Sequence, residues 1–333
     1  MKNILPLGLV IIILLLVISC EDNDNHATPP AMLDSLALVD LYNATAGSAW
    51  TEKWTFTMPM HQWQGVTVVE NRVTELRLSV NNLTGALPQS FGNLTALRHC
   101  DLSRNSLSGA VPASINRLTQ LEYLDLSKNT TMTGRFPTIY ALTKLWMFDI
   151  SFNNFTELPP TFNTLRSLEY LAFSKNNLSG NLPDLSALTK LIYLDASLNN
   201  FTGIIPSFWS SLTKMKVLFL YKNSLSGNIP TCITTFTDLE ALALDGNNLT
   251  GIIIPGFGNL LKLADLWLAQ NRLTGVIPNS LLNNPHWNEW QENVCPQQNG
   301  YGFSNCNGRS VSASTMDVKK SVILEEVKEK YLK

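Results

Sequence analysis

Apolar and polar positions between Val73 and about Asn284 follow one pattern, repeated nine times. Residues 73–83 read VTELRLSVNNL, 97–107 LRHCDLSRNSL, 121–129 LEYLDLSKN, 145–155 LWMFDISFNNF and 168–178 LEYLAFSKNNL. The series continues with 191–201 LIYLDASLNNF, 215–225 MKVLFLYKNSL, 239–249 LEALALDGNNL and 263–273 LADLWLAQNRL. Successive starts lie 24, 24, 24, 23, 23, 24, 24 and 24 residues apart, so the chain is a tandem array. Within a unit, positions 1, 4 and 6 are apolar and position 9 is Asn. The alternation LxxLxL predicts a short strand with one buried face. One such strand cannot bury that face alone, whereas stacked units form a parallel sheet over a continuous core.

The ninth position is occupied by Asn81, Asn105, Asn129, Asn153, Asn176, Asn199, Asn223, Asn247 and Asn271. An inward amide offers donors and an acceptor where the chain leaves the strand, so these residues are expected to satisfy backbone groups within and between coils. A second phrase follows: LTGALP at 83–88, LSGAVP at 107–112, LSGNLP at 178–183, FTGIIP at 201–206, LSGNIP at 225–230 and LTGVIP at 273–278. Its glycine permits a bend and its proline blocks helix continuation, which predicts a 3₁₀ or irregular convex side.

These phrases resemble the plant-type leucine-rich repeat, with consensus LxxLxLxxNxL[ST]GxIPxxLxxLxx. The resemblance implies a leucine-rich-repeat solenoid, an α/β-type horseshoe or superhelix with a concave parallel sheet and a cap at each end. Two units depart from the consensus: the fourth has Glu157 where Gly is expected, and the eighth reads GIIIP at 251–255 with one residue inserted before the proline. Both are expected to keep the strand and to differ on the convex side.

The flanks are organised around that array. Residues 1–19 have Lys2 followed by an apolar run, Ile4–Ile18, too short for a confident transmembrane span. The run ends Val17-Ile18-Ser19-Cys20, which resembles a bacterial lipobox and implies acylation of Cys20. Residues 20–31 then read as an acidic, proline-containing tether. By resemblance to exported lipoproteins, the protein is expected on the outer membrane, lipid-anchored and exposed at the cell surface. Residues 32–72 form an N-terminal cap, with Leu33, Leu36, Leu38, Val39 and Tyr42 at helical spacing, then Trp50, Trp54 and Trp63. Residues 285–306 are expected to form the C-terminal cap, where Trp287 and Trp290 cover the last coil and Cys295 and Cys306 form a disulfide, the alternative being a pair of free thiols. Cys100 and Cys232 read as small core residues. The tail, 307–333, carries Ile323, Val327 and Tyr331 at i, i+4 spacing and is either a short amphipathic helix or a frayed end.

Composition narrows the function. A formal charge of −2, from 24 Lys+Arg against 26 Asp+Glu, supplies no basic field for nucleic acid. Four scattered histidines, His26, His61, His99 and His286, imply no metal cluster, and there is no nucleophile elbow or phosphate loop. No cofactor and no catalytic residue is therefore expected. The outward columns of the strands include Arg77, Asp101, Asp125, Asp149 and Asp195 at position 5, and Ser79, Ser103, Ser127, Ser151, Ser174 and Ser197 at position 7. LDLS is the consensus at these positions, so both columns read as background. Off-consensus aromatics stand out instead: His99, Tyr123, Met147, Tyr170 and Tyr193 in column 3, Trp146 beside it, then Phe219, Tyr221 and Trp267. Exposed rings aligned on a sheet are efficient anchors. Tyr123, Trp146, Tyr170, Tyr193, Phe219, Tyr221 and Trp267 are accordingly the expected ligand-binding residues, the alternative being ring ladders that stabilise the strands. The expected function is non-catalytic binding of a protein, peptide or glycan on the concave face. An adhesive or structural envelope role, or an accessory subunit of an uptake or enzyme complex, is the alternative.

Overall fold

The computed structural model describes residues 28–298 and 300–306, together with Lys320 and Val322. The signal segment, Cys20 and most of the tether lie outside the described residues, as does the tail apart from those two positions.

The repeats build one ten-stranded concave sheet. Its strands are β1 (Val66–Val69), β2 (Arg72–Arg77), β3 (His99–Asp101), β4 (Tyr123–Asp125), β5 (Met147–Asp149), β6 (Tyr170–Ala172), β7 (Tyr193–Asp195), β8 (Val217–Phe219), β9 (Ala241–Ala243) and β10 (Asp265–Trp267). All pairs are parallel and in sequence order except β1 with β2, which is antiparallel. Position-4 side chains point inward throughout: Leu76, Cys100, Leu124, Phe148, Leu171, Leu194, Leu218, Leu242 and Leu266 are all fully buried. The fourth and eighth units keep their strands, β5 and β9.

The asparagines do what their amide chemistry suggests. Asn129 Nδ2 donates to Leu102 O of the preceding coil and to Leu126 O of its own, both at 3.0 Å. Its Oδ1 accepts from Leu107 N at 3.0 Å, again across the coil boundary. Asn105, Asn247 and Asn271 repeat this arrangement. Asn81 has no repeat before it and turns to the cap, donating to Glu52 O and accepting from Glu52 N.

Two local features were not anticipated. Position 8 adopts the left-handed conformation in every unit, at Val80, Arg104, Lys128, Phe152, Lys175, Leu198, Lys222, Gly246 and Gln270. A sharp departure from the strand demands it, and only the eighth unit supplies glycine. The segments after the Asn also pair into further short strands in three small sheets, one from Thr84–Gly85 to Asn154–Glu157, one of Ser179–Asn181 with Asn200–Thr202, and one from Ser226–Asn228 to Gly302–Phe303. The first of these sheets ends at the fourth unit, where Glu157 replaces the glycine and the register slips between Gly134 and Arg135.

Convex sides are 3₁₀ turns in five units, for example Gln89–Asn93 and Ser207–Ser211. The inserted residue of the eighth unit places Pro255 inside its turn, Pro255–Asn259, where Pro230 precedes its own. At the N-terminal end, helix α1 (Pro30–Ala44) packs over the first coil, and buried Asp34 accepts from Arg72 Nε at 2.9 Å and from Val73 N at 2.8 Å. Trp50, Trp54 and Trp63 are buried among Tyr42 and Phe56, and each indole N–H donates to a backbone carbonyl. At the other end, α2 (Asn279–Leu282) precedes α3 (Trp287–Val294), whose Trp290 is buried and donates to Ala264 O at 2.9 Å. Cys295 and Cys306 are joined by a disulfide, while Cys100 and Cys232 are buried free thiols.

Candidate functional site

Strand register places the outward side chains in columns. In column 3, Glu75, His99, Tyr123, Met147, Tyr170, Tyr193, Val217, Ala241 and Asp265 are direct neighbours. Column 5 runs Arg77, Asp101, Asp125, Asp149, Ala172, Asp195, Phe219, Ala243 and Trp267.

The aspartates have a local purpose. Asp101, Asp125, Asp149 and Asp195 each accept from the backbone N–H two residues on, at Ser103, Ser127, Ser151 and Ser197. Ser103 and Ser197 also donate through their hydroxyls. Position 7 lies at the end of the ladder, and the carboxylate takes up an amide there. Burial raises the Asp195 carboxyl above the usual carboxylate value, against these hydrogen bonds. Among the described residues, no group of three or more His, Cys, Asp or Glu is placed to hold a metal.

The aromatics correct the sequence expectation on one point. They stand on the concave face, but most are not exposed. Tyr170, Tyr193, Phe219 and Trp267 retain at most 2% of their surface and Tyr221 9%. Tyr123 and Trp146 are half-buried. With Met147, Ala172, Val217, Ala241, Ala243 and Ala269, the buried rings form a second apolar cluster, separate from the solenoid core. The Tyr170 and Tyr193 rings stack at 4.3 Å, and Phe219 meets both Tyr221 and Trp267 edge-on at 6.2 Å. Burial pushes both tyrosine hydroxyls of the stacked pair far above their ordinary pKa. Ala241 and Ala243 interrupt the run of large side chains at the eighth unit, and Phe219 and Trp267 meet across Ala243.

A residue from elsewhere in the chain also reaches this part of the face. Lys320 is 1% exposed; its Nζ lies 2.7 Å from both carboxylate oxygens of Asp245, 4.0 Å from the Tyr221 ring centre and 5.5 Å from that of Trp267. The sequence reading treated the tail as separate from the site and missed Lys320. Asp245 in place of the usual position-7 serine was the available signal.

Toward the N-terminus the face is more open. His99 stacks on Tyr123 at 4.1 Å, and Trp146 meets Tyr123 edge-on at 6.0 Å. Burial and the neighbouring Arg77 hold the His99 imidazole below its usual pKa. A shallow recess next along is lined by Trp146, Glu169, Tyr170, Ile192 and Tyr193. A second feature missed from sequence is a basic edge: Arg104, Lys128, Lys175 and Lys222 share column 8, with Lys128 and Lys175 both over the Phe152 ring.

Comparison with known proteins agrees with this geometry. Family models described as leucine-rich repeat match residues 71–130, and again 190–212 and 238–260. A plant peptide hormone receptor, RGFR1, solved in complex with RGF2, is 33% identical over 64% of this chain and 34% of its own, with a TM-score of 0.57. The ectodomain of the Arabidopsis receptor kinase HAESA, solved with an N-terminally extended IDA peptide hormone, is 29% identical over 78% of this chain and 44% of its own, with a TM-score of 0.67. A plant ice-binding protein shares the fold at 23% identity, with 86% of this chain and 91% of its own covered and a TM-score of 0.65. No curated protein matches the chain. The chain thus spans less than half the length of the two receptors. By the spacing of its repeats and the sheet they build, the chain is a leucine-rich-repeat solenoid, similar to the ectodomains of plant receptors.

Proposed function

We propose that the protein is a non-catalytic recognition module that binds a peptide, or a peptide segment of a protein, along the aromatic track of its concave face. The observation that carries this reading is the second apolar cluster. Tyr170 and Tyr193 stand in adjacent coils, Phe219, Tyr221 and Trp267 take positions where Asp and Ser are usual, and together they make a hydrophobic surface the solenoid core does not need. The two receptor structures were solved with peptide hormones, which favours a peptide over a glycan. Rigid rings on a preformed sheet bind an extended or helical peptide with little loss of their own entropy. The open end, at His99, Tyr123 and Trp146, is where such a ligand makes first contact.

The test is to pan the immobilised full chain against a random displayed peptide library. Enrichment that is lost with Tyr123→Ala/Trp146→Ala, while the far-ultraviolet spectrum is unchanged, supports the reading. Enrichment indifferent to those rings, or absent from the full chain and from its Lys320→Glu variant alike, overturns it. We further propose that Cys20 carries the lipid and tethers the domain at the cell surface, since the residues before it resemble a lipobox. Acyl labelling that persists in Cys20→Ala would refute the anchor.

A further inference from the structure

The geometry points to an intramolecular occupant of this same face: Lys320, from the chain's own C-terminal segment, sits on the concave side against Asp245, Tyr221 and Trp267, and an external ligand must displace it to use that end of the track. This rests on the peptide-binding reading and adds its regulation.

Lys320 is the first reason. A lysine at 1% exposure needs its charge met, and here Asp245 meets it while two rings face the ammonium. The contact joins residues 75 apart in sequence, whereas the array's asparagine bonds join neighbouring coils. Lys320 and Val322 are both helical, the first buried and the second half exposed. Two residues turn a helix by about 200°, so opposite burial is expected.

Connection is no obstacle, since the 14 residues from Cys306 to Lys320 can reach about 46–50 Å.

Hydroxyl-radical footprinting of the full-length chain tests this directly. Lys320→Glu and Asp245→Lys each place like charges at this contact. Each is expected to raise oxidation of Tyr221 and Trp267 several-fold over wild type. The charge-exchanged double variant restores protection, and a synthetic 316–333 peptide added to Lys320→Glu does the same. Amide exchange at Leu225 and Leu249 reports whether the solenoid itself stays folded in each variant. Rings oxidised readily in wild type, or protected equally in both single variants, would overturn the occupant. Panning Lys320→Glu separates the two ideas. Released rings that enrich no peptide leave the occupant standing and remove the ligand reading. Enrichment on wild type with an unchanged footprint in Lys320→Glu does the reverse.

Discussion

At the scale of single residues, one type of side chain holds the coils together and one backbone position works against them. Asn129 is fully buried, and its loss leaves Leu102 O, Leu126 O and Leu107 N without their partner. Each buried unpaired group costs about 1–3 kcal/mol, with incomplete additivity. Asn129→Ala should therefore destabilise the protein by about 3 kcal/mol in urea unfolding. A loss under about 1 kcal/mol would mean that water replaces the amide. Position 8 carries the opposite sign. Val80 has φ +55° and is 65% exposed, so its branched side chain is strained with little burial in return. Left-handed backbone is unfavourable by about 1–2 kcal/mol for most residues and less for Asn. Val80→Asn should raise the urea midpoint, by about 1 kcal/mol in stability, while the Val80 N–H bond to Ser103 O is kept.

At the scale of elements, the sequence was legible wherever one residue's chemistry was enough. The strands followed from LxxLxL, the ladder from nine asparagines, and the caps from tryptophans that would otherwise face water. The three small sheets were not legible, because their strands are held by backbone pairing between neighbouring coils and contain Ser, Thr, Gly and Asn rather than an apolar alternation. The interruption at Glu157 is intelligible only once the glycine it replaces is seen at positive φ in other coils. Exposure of the aromatics failed for a related reason. Column assignment says which way a side chain points, but not what another part of the chain lays over it. The C-terminal cap depends on a contact of that longer-range kind. The Cys295–Cys306 bridge closes a loop of sequence separation 11 and holds the Gly302–Phe303 strand on the edge at Thr274 and Gly275. Loop-closure entropy for such a span is roughly 2–3 kcal/mol. Cys295→Ser/Cys306→Ser should lose that much locally, read as faster exchange of Ser304 N, which donates to Gly275 O, with α3 still protected.

At the scale of the whole molecule, a stacked array passes stress to neighbours and little further, since each coil bonds mainly to the coils beside it. The N-terminal cap is where this can be measured. Asp34 is fully buried, and its carboxylate holds both Arg72 and the Val73 amide. Removing it leaves the Val73 amide unpaired and the Arg72 guanidinium held only by Thr95 Oγ1, at about 2–4 kcal/mol. The effect should stay near the point of damage. In Asp34→Ala, hydrogen exchange is expected to quicken in β2 and β3 while β8 and β9 keep their wild-type protection. Uniform loss of protection from β2 to β10 would instead mean that the solenoid unfolds as one cooperative unit, with the long Lys320–Asp245 contact among the links that carry stress past nearest neighbours. Repeating the exchange in Asp34→Ala/Lys320→Glu decides between these. If the tail carries that coupling, breaking it confines the loss to the first coils again. If the coils couple through their own core, the double variant loses protection as widely as the single one.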